Sequence, residues 1–188
     1  MKHNLPNIIV LVLRKYYSLE IAAELLLDNV DLFCPNKKLL VIGMAPTGLF
    51  QGTLQKLKQR EIIPDVVELN EENAEWVRMA HKLKVFNMDA KNFNSYDDYD
   101  CVYWAEGPEH VSTETFNIIN GKVKKSFIIE CPWGEAPEDV GRVGMKHVNA
   151  WKPEQFEELN FNVMMSAETY KPNGLPLICG YKLKVKNV

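Results

Sequence analysis

Residues 37–68 read KKLLVIGMAPTGLFQGTLQKLKQREIIPDVVE, and this stretch decides the fold. The apolar run at 39–42 lacks polar alternation, which is typical of a strand that is buried on both faces of a sheet. A turn at Gly43 follows, and then a helical pattern over 49–60. A second apolar run ends on an acid, Glu68. The order of strand, turn, helix and strand predicts a βαβ unit of an α/β domain.

The turn carries glycines at positions that suit a bound ligand. Gly43, Ala45 and Gly48 have the spacing G-x-G-x-x-G, with alanine at the second place. Glycine allows the backbone to approach a ligand closely at the start of a helix. Glu68 follows the last glycine by about 20 residues, where such domains bind the two hydroxyls of a ribose. These residues together predict a site for an adenosine-containing cofactor.

The residues of this turn are compatible with more than one ligand. In a dinucleotide site the second glycine contacts the pyrophosphate, and the Cβ of Ala45 hinders that contact. S-adenosylmethionine has no pyrophosphate, so alanine is better tolerated there. A phosphate-binding loop is excluded, because Leu49 and Phe50 occupy the places of its lysine and its serine or threonine. A tight turn without any ligand remains an alternative.

Length and composition favour one soluble domain that spans 1–188. A net charge of -3 gives no general signature of nucleic-acid binding. The apolar run at 8–13 is too short to cross a bilayer, so we expect no membrane segment. The 4 cysteines are far apart and are typical of reduced packing residues, which indicates a cytoplasmic protein. Nothing in the sequence indicates an oligomeric state.

The chain begins with an N-terminal helical segment, 1–36. A helix is expected there over 5–30, in two pieces that meet near Ser18. Strand and helix patterns alternate along the chain after this segment. In a cofactor-binding half, 37–131, we expect strands near 38–43, 65–69, 83–87, 100–104 and 125–131, and helices near 48–60, 71–81 and 112–121. The remainder, 132–188, contains a substrate-side loop, a short helix at 153–159, and strands at 161–167 and 177–185 joined by a turn at 171–174. The pattern predicts an α/β fold with a Rossmann-like, doubly wound, mostly parallel sheet and a C-terminal antiparallel hairpin.

Several further segments resemble class I S-adenosylmethionine-dependent methyltransferases, and the resemblance covers about residues 37–165. The segments are Val66-Val67-Glu68, Phe86-Asn87-Met88-Asp89-Ala90, Tyr103-Trp104, Gly107-Pro108-Glu109-His110 and Pro132-Trp133-Gly134. The resemblance implies the three-layer fold of that superfamily and S-adenosyl-L-methionine as the cofactor. The chain departs from the family at Val41, where the family has an acid, and at Ala45 and Pro46-Thr47 in the turn.

The resemblance also implies which residues border the cofactor. Gly43, Ala45 and Gly48 would line it, and Glu68 would accept hydrogen bonds from the ribose. Asp89 would face the adenine amino group, although the cap of a helix is a simpler role for this residue. Ala90 would lie beside the adenine ring. Trp104, at the end of the fourth strand, would lie near the methyl group.

Two residues are candidates for a catalytic base. Methyl transfer from a sulfonium centre needs mainly alignment and exclusion of water, and a base is needed only when the acceptor arrives protonated. Glu106 and His110 follow the fourth strand, and histidine titrates near neutral pH. The simpler interpretation is that Glu109-His110 anchors the loop.

The segment after the fifth strand offers the candidate substrate residues Trp133 and His147. Trp151 is interpreted instead as a packing residue. The histidines show no spacing of a metal site along the chain, so no metal is expected.

The leading interpretation is therefore methyl transfer to an unidentified small-molecule acceptor by an S-adenosylmethionine-dependent enzyme. One alternative is a non-catalytic, methyltransferase-like binding or scaffold protein, which the departures at Val41 and in the turn favour. The other is an NAD(P)-dependent oxidoreductase, which Ala45 and the absence of a separate substrate domain disfavour.

Overall fold

The computed structural model describes residues 21–44, 50–134, 147–170 and 175–183. Its helices are α1 (Ile21–Asp28), α2 (Val30–Phe33), α3 (Phe50–Gln59), α4 (Glu71–His81), α5 (Thr113–Lys122) and α6 (Pro153–Glu158). Its strands are β1 (Leu39–Ile42), β2 (Asp65–Glu68), β3 (Val85–Asn87), β4 (Cys101–Ala105), β5 (Ser126–Pro132), β6 (Asn162–Tyr170) and β7 (Leu175–Lys182). Short 3-10 turns cover Ala90–Asn92, Tyr96–Asp98 and Pro108–His110.

The strands form one 7-stranded sheet in the order β3-β2-β1-β4-β5-β7-β6. Strands β1 to β5 run parallel to one another, and β7 is antiparallel to both β5 and β6. The predicted Rossmann-like α/β sheet with a C-terminal antiparallel hairpin is therefore confirmed. The predicted hairpin turn at 171–174 lies outside the described residues.

Both faces of the sheet are covered, which explains why its central strands lack polar alternation. Successive side chains of a strand point to opposite faces, and β1 shows this directly. Leu39 and Val41 pack in a core with α1 and α3, whereas Leu40 and Ile42 pack with α5 and α6. All these β1 side chains are at most 5% exposed. The protein thus has three layers, with the sheet in the middle.

The predicted N-terminal helix differs from the structure in the part that can be compared. Within 21–33 the helix is interrupted at Asn29, whose Nδ2 donates to the carbonyl oxygen of Leu25 at 3.0 Å. This side chain competes with the backbone for that carbonyl, which favours a break. The junction expected near Ser18 lies outside the described residues. No helix among the described residues has both the length and the apolar character that crossing a membrane requires.

The strand register brings the carboxyl ends of β1, β2 and β4 together. Val41 pairs with Val66 of β2 on one side and with Tyr103 of β4 on the other. Two residues further on, Gly43 is level with Glu68 and with Ala105 of β4. The chain order reverses between β1 and β4, and this is the edge at which open α/β sheets bind ligands.

Candidate functional site

Gly43 ends β1 with a backbone that glycine alone adopts easily. Its φ angle is +72°, and a Cβ placed on it would meet no atom of the described residues within 4 Å. Its N–H donates to the carbonyl oxygen of Val67 at 2.9 Å, which holds the turn against β2. Glycine is therefore favoured by the backbone angle rather than by crowding from the part of the chain that the structure describes. The other predicted residues of the turn, Ala45 and Gly48, lie outside the described residues.

Glu68 links that turn to the start of α4. Its Oε2 accepts from the backbone N–H of Met44 at 2.8 Å, and its Oε1 accepts from the N–H of Asn70 at 2.8 Å. The residue is 7% exposed. A carboxylate has about four acceptor positions, so each oxygen can accept one more bond. We call Gly43, Met44, Glu68 and Asn70 the Glu68 cluster.

Two exposed apolar side chains lie beside the Glu68 cluster. Leu69 is 70% exposed, and Met88, whose N–H donates to the carbonyl oxygen of Glu68, is 39% exposed. The Nδ2 of Asn87 donates to the same carbonyl oxygen at 2.9 Å and fixes the end of β3 to the end of β2. The edge thus combines a charged acceptor with apolar surface.

Asp89 and Ala90 follow β3 in a 3-10 turn. The Oδ1 of Asp89 accepts from the N–H of Lys91 at 3.0 Å, and its Oδ2 lies 3.2 Å from the Lys91 ammonium. Ala90 is half-buried, and its carbonyl oxygen accepts from the Tyr96 hydroxyl at 2.8 Å. The structure therefore shows Asp89 in its simpler role as a cap, at the strand end where the cofactor role was expected.

Trp104 lies in the core. The residue is 3% exposed, and its ring stacks on Phe116 of α5, with ring centroids 5.8 Å apart. The ring also covers Gly107, where a Cβ would overlap the indole Nε1. At Gly107 glycine is thus required by the close approach of the indole. Only the backbone of Trp104 lies at the strand end where the sequence placed a cofactor contact.

Acidic side chains gather beyond the end of β4. Glu106 has a φ of +52°, and its N–H donates to the carbonyl oxygen of Glu130 at 2.9 Å. Glu130 is 2% exposed, and its Oε2 accepts from the N–H of Ala22 at 2.8 Å. Glu109 is equally buried at 2% exposed, and neither of its carboxylate oxygens has a hydrogen-bond partner among the described residues. Burial, followed by the charges of Glu106 and Glu130, raises the pKa of Glu109 well above its ordinary value.

His110 and His147 lie against Glu109. The Nε2 of His110 is 3.8 Å from the Oε1 of Glu109, and the two imidazole rings have centroids 4.9 Å apart. Burial, and then the charge of His110, lowers the pKa of His147 from its ordinary value. We call Glu106, Glu109, His110 and His147 the Glu109 cluster.

The tryptophans of this region have structural contacts. Trp151 is 2% exposed, stacks on Phe156, and donates from Nε1 to the carbonyl oxygen of Pro108 at 2.8 Å. Its prediction as a packing residue is confirmed. Trp133, a predicted substrate residue, is half-buried, packs against the same aromatic core, and donates from its backbone N–H to the carbonyl oxygen of Pro176 at 3.0 Å.

The structure thus divides the predicted site residues into groups. Gly43 and Glu68 meet at the ends of β1 and β2, and His110 and His147 meet beyond β4, where Glu106 follows the strand. Sequence reasoning missed the buried Glu109, which it considered only as a loop anchor. The sequence feature that could have drawn attention to Glu109 is its position directly before His110, since an acid next to a histidine is a possible pair of ligands or proton carriers. A separate cavity of about 590 Å³ is lined by residues such as Asn29, Pro35 and Arg60 and lies at the amino ends of β1 and β2.

Comparisons with known proteins give structural matches only. No family model matches the chain, and no curated protein matches its sequence. A Burkholderia thailandensis 1,6-didemethyltoxoflavin-N1-methyltransferase, solved with S-adenosylhomocysteine, has a TM-score of 0.61 at 13% identity, and the match covers 92% of this chain and 81% of that one. The magnesium protoporphyrin IX methyltransferase of Synechocystis, also solved with S-adenosylhomocysteine, has a TM-score of 0.58 at 11% identity, with 95% and 86% covered.

A Rhodobacter sphaeroides protein, provisionally named a zinc-dependent alcohol dehydrogenase, has a TM-score of 0.60 at 10% identity, with 88% and 90% covered. Identities this low establish the fold alone. The sheet order, the antiparallel β7 and the similarity to solved methyltransferases agree with the resemblance seen in the sequence. The chain has the class I methyltransferase-like fold.

Proposed function

We propose that this protein binds S-adenosylmethionine at the carboxyl ends of β1 and β2 and transfers its methyl group to a small-molecule acceptor. The observation that carries the proposal is the Glu68 carboxylate at the end of β2, level with the left-handed Gly43 at the end of β1. An ionised acceptor at this edge suits a pair of ribose hydroxyls. The resemblance in the sequence and the class I methyltransferase-like fold support the same cofactor.

The described residues fit an adenosyl group in several respects. Each oxygen of Glu68 accepts one backbone bond and can accept another. The exposed side chains of Leu69 and Met88 offer apolar surface for a flat base next to that acceptor. No atom within 21–44, 50–134, 147–170 or 175–183 would crowd a Cβ placed on Gly43. Asp89 and Ala90 would border the base through the backbone of their turn.

Bound S-adenosylmethionine would supply a methyl group that is already activated on a sulfonium sulfur. The protein then has to hold the acceptor in line and exclude water. The Glu109 cluster lies beyond β4, where an acceptor would approach. Glu106 and His110 are the candidate bases, and Trp133 and His147 are the candidate acceptor contacts. The lowered pKa of His147 favours its neutral form at pH 7.

Specific observations favour the second candidate, a non-catalytic methyltransferase-like protein. Val41, which stands where the family has an acid, is 1% exposed and packs in the core. The Glu68 carboxylate also has a structural role, because it joins the turn to α4. A protein that kept the two backbone bonds of Glu68 for stability alone would bind neither S-adenosylmethionine nor NAD.

Thermal unfolding with added ligand tests the proposal. The wild type is heated alone and with S-adenosylmethionine, S-adenosylhomocysteine or NAD, each at millimolar concentration. A ligand at 100 times its Kd adds ~2.7 kcal/mol of stability. We expect a clear rise in Tm with the first two ligands and none with NAD. We expect Glu68→Gln to reduce the ligand-induced rise, measured against its own ligand-free Tm.

Glu72→Gln is the matched control, because Glu72 is an exposed acid in the first turn of α4. This variant should keep the wild-type rise. A rise with NAD alone would replace the methyltransferase proposal with the oxidoreductase alternative. The absence of a rise with any ligand would favour the non-catalytic protein.

A further inference from the structure

The 3-10 turn after β4 is joined to a distant segment of the chain. The carbonyl oxygen of Glu109 accepts from the N–H groups of Val148 and Asn149 at 2.8 and 3.1 Å. The indole of Trp151 donates to the neighbouring carbonyl of Pro108 at 2.8 Å. These bonds place His147 against a turn from which it is widely separated in sequence.

The result is a close group of metal-binding atom types. One carboxylate oxygen of Glu109 and one imidazole nitrogen each of His110 and His147 lie within 4.8 Å of one another. The Oε1 of Glu109 and the Nε2 of His110 are separated by 3.8 Å. Both histidines are only half-buried, so solvent ions can reach the group.

Glu109 provides the second, independent observation. It is 2% exposed, and neither oxygen has a hydrogen-bond partner among the described residues. Buried polar groups are normally hydrogen-bonded, and a buried carboxylate normally has a counter-charge. By contrast, the equally buried Glu130 accepts from the N–H of Ala22. A cation between Glu109 and the histidines would satisfy the carboxylate.

We propose that Glu109, His110 and His147 form a binding site for a divalent transition-metal ion such as Zn²⁺. Imidazole nitrogen and carboxylate oxygen are common zinc ligands, and three protein ligands leave one position of a tetrahedron for water or another molecule. Metal–ligand distances of about 2.1 Å separate tetrahedral donors by about 3.4 Å. The side chains therefore close inward by about 1 Å when the ion binds.

This site goes beyond the proposed methyl transfer and does not depend on it. It also departs from the expectation of no metal, which rested on the spacing of the histidines along the chain. The ion would lie beyond β4, on the side from which an acceptor would approach. Its open position would suit an acceptor that carries an oxygen or nitrogen donor.

The test measures binding of the metal alone. The full chain is treated with EDTA, dialysed, and titrated with Zn²⁺ by calorimetry and with Co²⁺ by visible absorption. We expect one equivalent to bind, with a Co²⁺ spectrum of nitrogen and oxygen ligation and no thiolate charge-transfer band. Such a spectrum would exclude the buried cysteines as ligands.

Variants assign the ligands. Glu109→Gln and His147→Ala should each weaken Zn²⁺ binding at least about 10-fold, since losing even an outer partner of a metal site costs that much. His81→Ala is the matched control, because His81 is a half-buried histidine on α4, beside Trp76. It should bind like the wild type. Because His147 is only half-buried, His147→Ala leaves the hydrophobic core intact. This variant therefore tests the site even if Glu109→Gln folds poorly.

Either of two results would overturn the proposal. One is the failure of the wild type to bind Zn²⁺ or Co²⁺ at micromolar concentration. The other is unchanged affinity in both Glu109→Gln and His147→Ala. Because the readout is metal affinity, a protein that fails to bind S-adenosylmethionine can still pass this test.

Discussion

The Glu68 cluster and the Glu109 cluster both contain a buried glutamate at the carboxyl edge of the same sheet, but the two carboxylates differ in their hydrogen bonds. Each oxygen of Glu68 accepts a backbone N–H at 2.8 Å, whereas the oxygens of Glu109 accept none among the described residues. A satisfied carboxylate stabilises the fold whether or not a ligand binds. An unsatisfied one destabilises it until a proton or a cation arrives. The comparison separates a site that is built into the fold from one that a ligand completes.

The largest expected effect comes from removing the support of the Glu109 cluster. Trp151→Ala empties a buried aromatic position and removes the indole bond to Pro108. We expect a loss of about 3–5 kcal/mol in the free energy of unfolding, measured by urea denaturation. Leu69→Ala beside the Glu68 cluster, where the side chain is 70% exposed, should change it by less than about 0.5 kcal/mol. Equal losses would refute the structural role given to Trp151.

The same substitution at each glutamate tests the comparison directly. Glu68→Gln turns one carboxylate oxygen into an amide donor facing a backbone donor, and we expect a cost of about 1–3 kcal/mol. Glu109→Gln removes a buried acid whose oxygens accept no hydrogen bond from the described residues, so the EDTA-treated variant should lose no stability at pH 8. Urea denaturation of both variants at pH 8 measures the difference. A similar cost at both positions would show that Glu109 has stabilising partners in solution.

The most gradual effect is a change in the pH dependence of stability. Burial, Glu106 and Glu130 raise the pKa of Glu109 above 4.5, so the folded state binds this proton more tightly than the unfolded state. Stability from Glu109 is therefore present at low pH and is lost as pH rises from about 4.5 through the folded pKa. The slope is at most about 1.4 kcal/mol per pH unit for one proton.

Glu109→Gln should remove that slope when unfolding is followed by urea from pH 4 to pH 8 with EDTA present. The lowered pKa of His147 acts in the opposite direction, because its contribution is lost as pH falls below about 6.5. Subtracting the variant from the wild type removes the part of the His147 effect that does not depend on Glu109. Identical pH profiles would show that Glu109 titrates alike in the folded and unfolded chains.

Local patterns predicted the elements well because each pattern reports burial at short range. The run predicted at 65–69 is β2, Asp65–Glu68, and its acid does stand at the strand end next to Gly43. The same information did not show that the side chain of Trp104 packs on Phe116 in the core. A strand that is buried on both faces shows no polar alternation, so its sequence does not indicate which side chains face the core.

The contacts of Asp89 and Glu109 show a second limit. An acid at the end of a strand is typical both of a helix cap and of a ligand contact. Only the bonds to Lys91 show that Asp89 acts as a cap. The carboxylate oxygens of Glu109 have no hydrogen-bond partner among the described residues, and this property cannot be read from a sequence. The histidine spacing along the chain could not reveal that His147 packs beside His110.

The sequence by itself determined the α/β class, the glycine turn after β1, the acid that ends β2 and the antiparallel hairpin. These features depend on neighbouring residues, through apolar periodicity and the backbone freedom of glycine. Only the tertiary structure decided that β7 lies between β5 and β6, that Trp104 faces the core, and that Glu109 and His147 meet. Those features depend on contacts between segments that are distant in the chain, and such contacts are set by the packing of whole layers rather than by any local pattern.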